Sequence, residues 1–151
     1  MSRQNANPTF RLAFLTILLS MCSLNVFSVG LAQIEFLQGA GADSFTVTTG
    51  FPRLCIDHVS PWTLQTLPGS GQTMNIYYLQ GAGFCDVDPS VQLFEVKSNQ
   101  HPDKLAQFKW LKDAGEDPTL VDIYDPDRLL TIDADDVYHF KVWASYSGQS
   151  R

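Results

Sequence analysis

The sequence predicts an all-β fold, an antiparallel β-sandwich of about eight strands, on three observations. From Gln33 onward, clusters of Gly, Pro and Ser recur at short intervals, and the runs between them are rich in β-branched and aromatic residues, the composition that a pleated, half-buried surface selects. Near the C-terminus the alternation is clean: Tyr138, Phe140, Val142 and Ala144 interleave with His139 and Lys141, so one face is apolar and the other polar. A segment is also used twice. Ile34-Glu35-Phe36-Leu37-Gln38-Gly39-Ala40-Gly41 returns at an offset of 42 residues as Ile76-Tyr77-Tyr78-Leu79-Gln80-Gly81-Ala82-Gly83, with the last five residues identical. This reads as a strand and a glycine turn placed twice in one sheet structure.

In chain order, strands are expected at Ile34–Leu37, Phe45–Thr49, Leu54–Val59, Met74–Gln80, Val91–Lys97, Leu120–Tyr124, Leu129–Ile132 and Val137–Tyr146. The first and fourth are the repeated strand, and in the fourth Met74, Ile76 and Tyr78 alternate with Asn75 and Tyr77. Half-buried strands of this kind belong in antiparallel sheets packed face to face. A short helix is expected over 103–113. Pro102 and Asp103 suit a first turn, Leu105, Phe108 and Leu111 recur every three residues, and Gly115 stands where a C-terminal cap would. The competing strand pattern is Ala106, Phe108 and Trp110.

Residues 1–32 read as a secretory leader, because Leu12 to Ala32 carries no charge and follows Arg3 and Arg11. Ser28, Gly30 and Ala32 offer small residues for cleavage, with Ala32 the preferred point; an uncleaved signal anchor in a membrane is the alternative. Residues 33–151 then form a single β-sandwich domain, a length suited to one core. Cys22 leaves with the leader, so Cys55 and Cys85 remain as a pair in an oxidising compartment and are expected to form a disulfide bond.

On the repeat and these cysteines, residues 34–97 resemble the βγ-crystallin superfamily and the small secreted fungal proteins related to it. The resemblance implies a sandwich of Greek-key type with paired motifs, one cysteine before the second motif, as Cys55 stands, and another after its opening strand, as Cys85 does. The calcium motif of that superfamily is not met, Asp86-Val87-Asp88-Pro89-Ser90-Val91 being the nearest stretch.

All sixteen acids lie beyond residue 32, and nine of them fall between Asp113 and Asp136 beside a single base, Arg128. The rest of the expected mature chain is balanced, which argues against nucleic acid and anionic membrane surfaces as partners. No cofactor is expected, with calcium as the open alternative at Asp125, Asp127, Asp133, Asp135 and Asp136, since a hard cation seeks several carboxylate oxygens. The bland alternative is solvated turns. His58, His101 and His139 are scattered, and neither Gly-x-Ser-x-Gly nor His-Glu-x-x-His occurs. His139 reads as a solvated strand histidine, and Asp57-His58 lacks an identifiable nucleophile. Trp62 is the candidate ligand-binding residue, stacking on a sugar or a partner, against the alternative of plugging the end of the sandwich.

The function expected is that of a small secreted, non-enzymatic, acidic β-sandwich acting as a surface binding or interaction module. Its partner would be a protein or a carbohydrate, and it is expected to be a monomer. A secreted hydrolase, for example one acting on carbohydrate, and a calcium-stabilised structural protein are the alternatives.

Overall fold

The structure, a computed structural model, describes residues 28–39, 41, 43–50, 55–81, 83–86, 89–134 and 136–146. Within them the chain is an all-β sandwich. The strands are β1 (Ser28–Gln38), β2 (Phe45–Thr49), β3 (Ile56–Ser60), β4 (Thr63–Gln65), β5 (Gln72–Gln80), β6 (Ser90–Ser98), β7 (Leu105–Lys112), β8 (Thr119–Tyr124), β9 (Leu130–Ala134) and β10 (His139–Ala144). One sheet runs β3-β5-β1-β10-β9 and the other β4-β2-β6-β7-β8. A single turn of 3-10 helix, Gly83–Asp86, follows β5.

Alternation sorts the side chains into a core between the sheets. Ile34 and Phe36 of β1, Met74, Ile76 and Tyr78 of β5, and Phe140 and Val142 of β10 face Phe45 and Val47 of β2, Phe94 and Val96 of β6, and Phe108 and Trp110 of β7. Rings lock the two layers: the Phe36 centroid lies 6.2 Å from that of Phe94 and 6.0 Å from that of Phe108, and Tyr78 lies 5.3 Å from Trp110. Burying one such side chain contributes roughly 1.5–3 kcal/mol, whereas an exposed ion pair contributes about 0–1 kcal/mol. The aromatic layer therefore outweighs the surface charges in holding the sheets together.

The two copies of the repeat are neighbouring strands of the first sheet. β1 and β5 pair antiparallel, with Ile34 opposite Met74 and Ala32 opposite Ile76. Each copy runs from strand into a glycine, Gly39 or Gly81; Ala40 and Ala82 lie outside the described residues. Solving the offset of 42 against this register puts a local two-fold axis between Gln33 and Asn75, the one pair that is both cross-strand and repeat-equivalent.

Three expectations need correction. Residues 103–113 are not helical: Leu105–Lys112 is β7, paired antiparallel with β6 on one side and β8 on the other. Ala106, Phe108 and Trp110 are fully buried while Leu105 and Leu111 point outward, so the period of two prevails because it fills the inter-sheet core. Strand β4, only three residues long, was not anticipated. Not every pairing is antiparallel either. β1 and β10 run parallel, Gln33 opposite His139 and Gln38 opposite Ala144, a contact that links chain ends and leaves no turn signature in the sequence.

β1 also starts earlier than expected, inside the segment assigned to the leader, whose residues 1–27 lie outside the described residues. Ser28 to Ala32 pair with Gln80 to Ile76, and Ala32 is fully buried. The Tyr78 ring occupies the place that a Cβ at Gly30 would take, so the strand accepts the ring there only because residue 30 has no side chain.

Candidate functional site: the polar outer face of the first sheet

Residues opposite one another in a ladder share a face, so the register lays out the outer side of the first sheet in rows. His58, Tyr77 and Leu31 form one row. Asn75, Gln33 and His139 form the next. Thr73, Glu35, Lys141 and Asp133 follow, and Leu37, Trp143 and Thr131 complete the set. Successive rows are two residues apart along the strands, roughly 7 Å.

The second row is joined by side-chain hydrogen bonds. His139 Nε2 lies 2.8 Å from Gln33 Oε1, and Gln33 Nε2 donates to Asn75 Oδ1 at 2.8 Å. At the other edge of the imidazole, Nδ1 lies 2.8 Å from Asp136 Oδ2. Asp136 is itself fixed by the turn entering β10, its Oδ1 accepting the Tyr138 N–H at 2.7 Å and the His139 N–H at 3.1 Å. The Tyr138 N–H, and after it the His139 ring, hold the Asp136 carboxyl below its ordinary range. A carboxylate with those partners must accept, so Nδ1 donates to it. The amide of Gln33 can meet Nε2 as acceptor or, if the Asn75 amide turns over with it, as donor.

Between the second and third rows lies a cavity of about 240 Å³ lined by Gln33, Glu35, Thr73, His139, Phe140 and Lys141. Glu35 reaches it over Gly71, whose missing side chain leaves the space that the carboxylate fills. In the first row His58 stacks on Tyr77, with ring centroids 4.2 Å apart and planes 15° from parallel. Asp57 Oδ2 steadies the histidine from 2.7 Å. Asp57-His58 thus forms an aromatic platform with Tyr77.

The second sheet carries a different cavity on its outer side, about 460 Å³, lined by Thr48, Leu93, Gln107 and Ile123 among others. Gln107 Nε2 donates to Glu95 Oε2 across it at 3.1 Å.

The acidic candidates are dispersed. Asp125 accepts the Leu129 N–H at 2.7 Å through Oδ1 and the Leu130 N–H at 2.9 Å through Oδ2, capping the turn that carries the chain from β8 to β9. Asp127 lies 2.9 Å from Lys104 Nζ, Asp133 belongs to the third row of the polar face, and Asp136 holds His139. Asp135 lies outside the described residues. Among the described residues no group of three His, Cys, Asp or Glu side chains converges as a metal site. Trp62 stands in the turn between β3 and β4, 48% exposed, and its carbonyl accepts the Thr49 N–H at 3.0 Å. The Cys55–Cys85 disulfide is formed, with Cα atoms 5.5 Å apart. It ties the approach to β3 to the 3-10 turn after β5, packed on Leu79.

Sequence reasoning read His139 as a solvated strand histidine, and it is exposed on β10; its hydrogen-bonded partners Gln33 and Asn75, and the neighbouring Glu35, Tyr77 and Lys141, were overlooked. A usable signal existed: Gln33 and Asn75 are separated by the repeat offset of 42, one residue ahead of each repeated strand.

No family model, curated protein or solved structure matches the chain. Its class therefore rests on the fold and this face: a disulfide-tied all-β sandwich with a polar, partly aromatic outer sheet surface. Among the described residues no helix is long and apolar enough to cross a membrane.

Proposed function

We propose that the protein is a secreted, non-enzymatic binding module that engages its partner through the outer face of the first sheet. The observation that carries this reading is the chain Asp136–His139–Gln33–Asn75, in which four polar side chains from three strands and the turn entering β10 are held in place on an open surface. Side chains already ordered lose little rotamer freedom when a ligand arrives, which lowers the cost of binding. The Cys55–Cys85 bond and the uncharged segment Leu12 to Ala32 support an extracellular setting.

The hydrolase reading gains from the Asp136–His139 pair, yet His139 Nε2 faces an amide rather than a hydroxyl or thiol that it could activate. The surface is also open, so water would compete with developing charge. Binding is favoured on both counts.

Hydroxyl-radical footprinting tests the reading directly. The protein would be incubated with a cell-wall polysaccharide fraction and, separately, with an extracellular protein fraction. Protection is expected at His58, Tyr77, His139 and Trp143, with Leu93 and Ile123 unchanged. Protection confined to Leu93 and Ile123 would move the function to the second sheet and overturn the proposal.

A further inference from the structure

We infer that the ligand of this face is a neutral oligosaccharide of several sugar units, an inference that rests on the reading of the first sheet's outer face as the binding surface. Charge is the first argument. The two histidines each lie against an aspartate, His58 with Asp57 and His139 with Asp136, and the third row places Lys141 between Glu35 and Asp133. The acids Asp57, Glu35, Asp133 and Asp136 outnumber Lys141, and the histidines count as cations only when protonated, so the face disfavours an anionic ligand.

Hydrogen-bond chemistry is the second. Carboxylate, hydroxyl, ammonium, amide and imidazole groups from Glu35, Thr73, Lys141, Gln33 and His139 line one small cavity. Such a mixture of donors and acceptors suits hydroxyl groups, which act as both. At about 240 Å³ the cavity falls below the roughly 300–1,000 Å³ of a drug-sized site, so it would take one ring and leave the remainder of a ligand on the surface.

The aromatic groups then set the length. The stacked His58–Tyr77 pair lies one row to one side of the cavity, and Trp143 lies one row to the other, on a different strand. From the Tyr77 row to the Trp143 row is three steps, roughly 20 Å along the strands. One sugar ring cannot touch both, whereas a chain crossing the strands diagonally can lay its apolar C–H faces on each aromatic group. An extended peptide is the weaker fit, because the three central strands already use their backbone groups with neighbours on both sides and offer it no ladder.

Isothermal titration of the protein with cellohexaose, laminarihexaose, xylohexaose and chitohexaose, with polygalacturonate as the charged comparison, provides the test. At least one neutral hexaose is expected to bind, and its disaccharide to bind at least about tenfold more weakly. Tyr77→Ala and Gln33→Ala are each expected to weaken binding about tenfold. His58→Ala, which alters a half-exposed ring, serves as the variant least able to disturb folding and is expected to weaken binding in the same direction. Equal affinity for hexaose and disaccharide, tighter binding of polygalacturonate, or binding untouched by all three variants would overturn the inference. If no hexaose binds while a protein fraction still protects Tyr77 and His139 in footprinting, the oligosaccharide falls and the binding face stands. If neither occurs, both fall.

Discussion

Asp125 offers the sharpest test of how the acidic span is used. Its two carboxylate oxygens accept the backbone N–H groups of Leu129 and Leu130 at 2.7 and 2.9 Å, at the point where the chain leaves the second sheet for the first and buries Leu129 completely. A hydrogen bond to a charged group contributes roughly 1.5–3 kcal/mol net. Both bonds are only partly buried, so about 2–4 kcal/mol is expected to be lost in Asp125→Ala. For a domain of this size about 4 °C accompanies each kcal/mol, giving a fall in Tm of roughly 8–16 °C. Asp125→Asn retains one acceptor and should lose about half as much. The assay is thermal unfolding by circular dichroism in chelator, in calcium chloride, and in sodium chloride at matched ionic strength. On this reasoning calcium stabilises wild type no more than sodium chloride does, because screening needs no site. An Asp125→Ala protein within about 0.5 kcal/mol of wild type in chelator would refute the capping role. A calcium-specific gain in wild type that vanished in Asp125→Ala would show those oxygens ligating metal instead.

The other predictions address the disulfide, the core and the start of β1. Replacing Cys55 and Cys85 together by Ala opens a loop spanning a separation of 30 residues, for which chain entropy predicts a loss of about 3–4 kcal/mol; a reduced or double-mutant protein that unfolds at the wild-type urea midpoint would contradict this. Burial, and after it Tyr138, pushes the Tyr78 phenol up to about 12. The unfolded chain would then release this proton before the native one, so stability should fall as pH rises above about 10. Tyr78→Phe should flatten that alkaline limb in urea titrations, and unchanged slopes would refute the assignment. Asp136 is held below its ordinary range, so its contribution is present above that range and disappears as pH falls through the lowered value. Asp136→Asn should shallow the acid limb of unfolding, and an unaltered acid limb would count against the Asp136–Tyr138–His139 turn. Gly30→Ala drives a Cβ into the Tyr78 ring and should cost about 1–3 kcal/mol; N-terminal sequencing of the purified protein, run alongside, checks that residue 30 is retained, and a retained but harmless substitution would refute the packing.

Legibility followed the range over which a signal acts. Phe45–Thr49 was readable to the residue because alternation and its bounding turns are local. Leu105–Lys112 was misread because Leu105, Phe108 and Leu111 imitate a helical stripe, and only Phe36 and Tyr78 waiting opposite Phe108 and Trp110, with Phe94 stacked beside Phe108, decide for the strand. The parallel contact of β1 with β10 joins residues 106 apart at Gln33 and His139, with nothing between them to announce it. For the same reason the polar face was nearly invisible. Its members come from β3, β5, β1, β10 and β9, and each alone looks like an ordinary solvent-facing strand residue. The repeat was the exception, since its offset combined with antiparallel pairing makes Gln33 and Asn75 meet.

Gln33 also stands where two kinds of support begin to overlap. Residues 28–36 of β1 are paired with β5, but pairing with β10 starts only at Gln33, whose backbone N–H donates to the Tyr138 carbonyl at 2.8 Å. The polar row therefore occupies the first level at which β5, β1 and β10 run side by side, and this three-strand support holds its side chains in mutual register. Cleavage after Ala32 would turn that same N–H into an α-ammonium, ordinarily protonated below about pH 8, without breaking its approach to Tyr138. It would also remove the five residues that pair with Gln80 to Ile76 and place a positive charge within the row of Gln33, Asn75 and His139. Were the chain cleaved there, the face would present a charged chain end at this residue in place of a neutral strand.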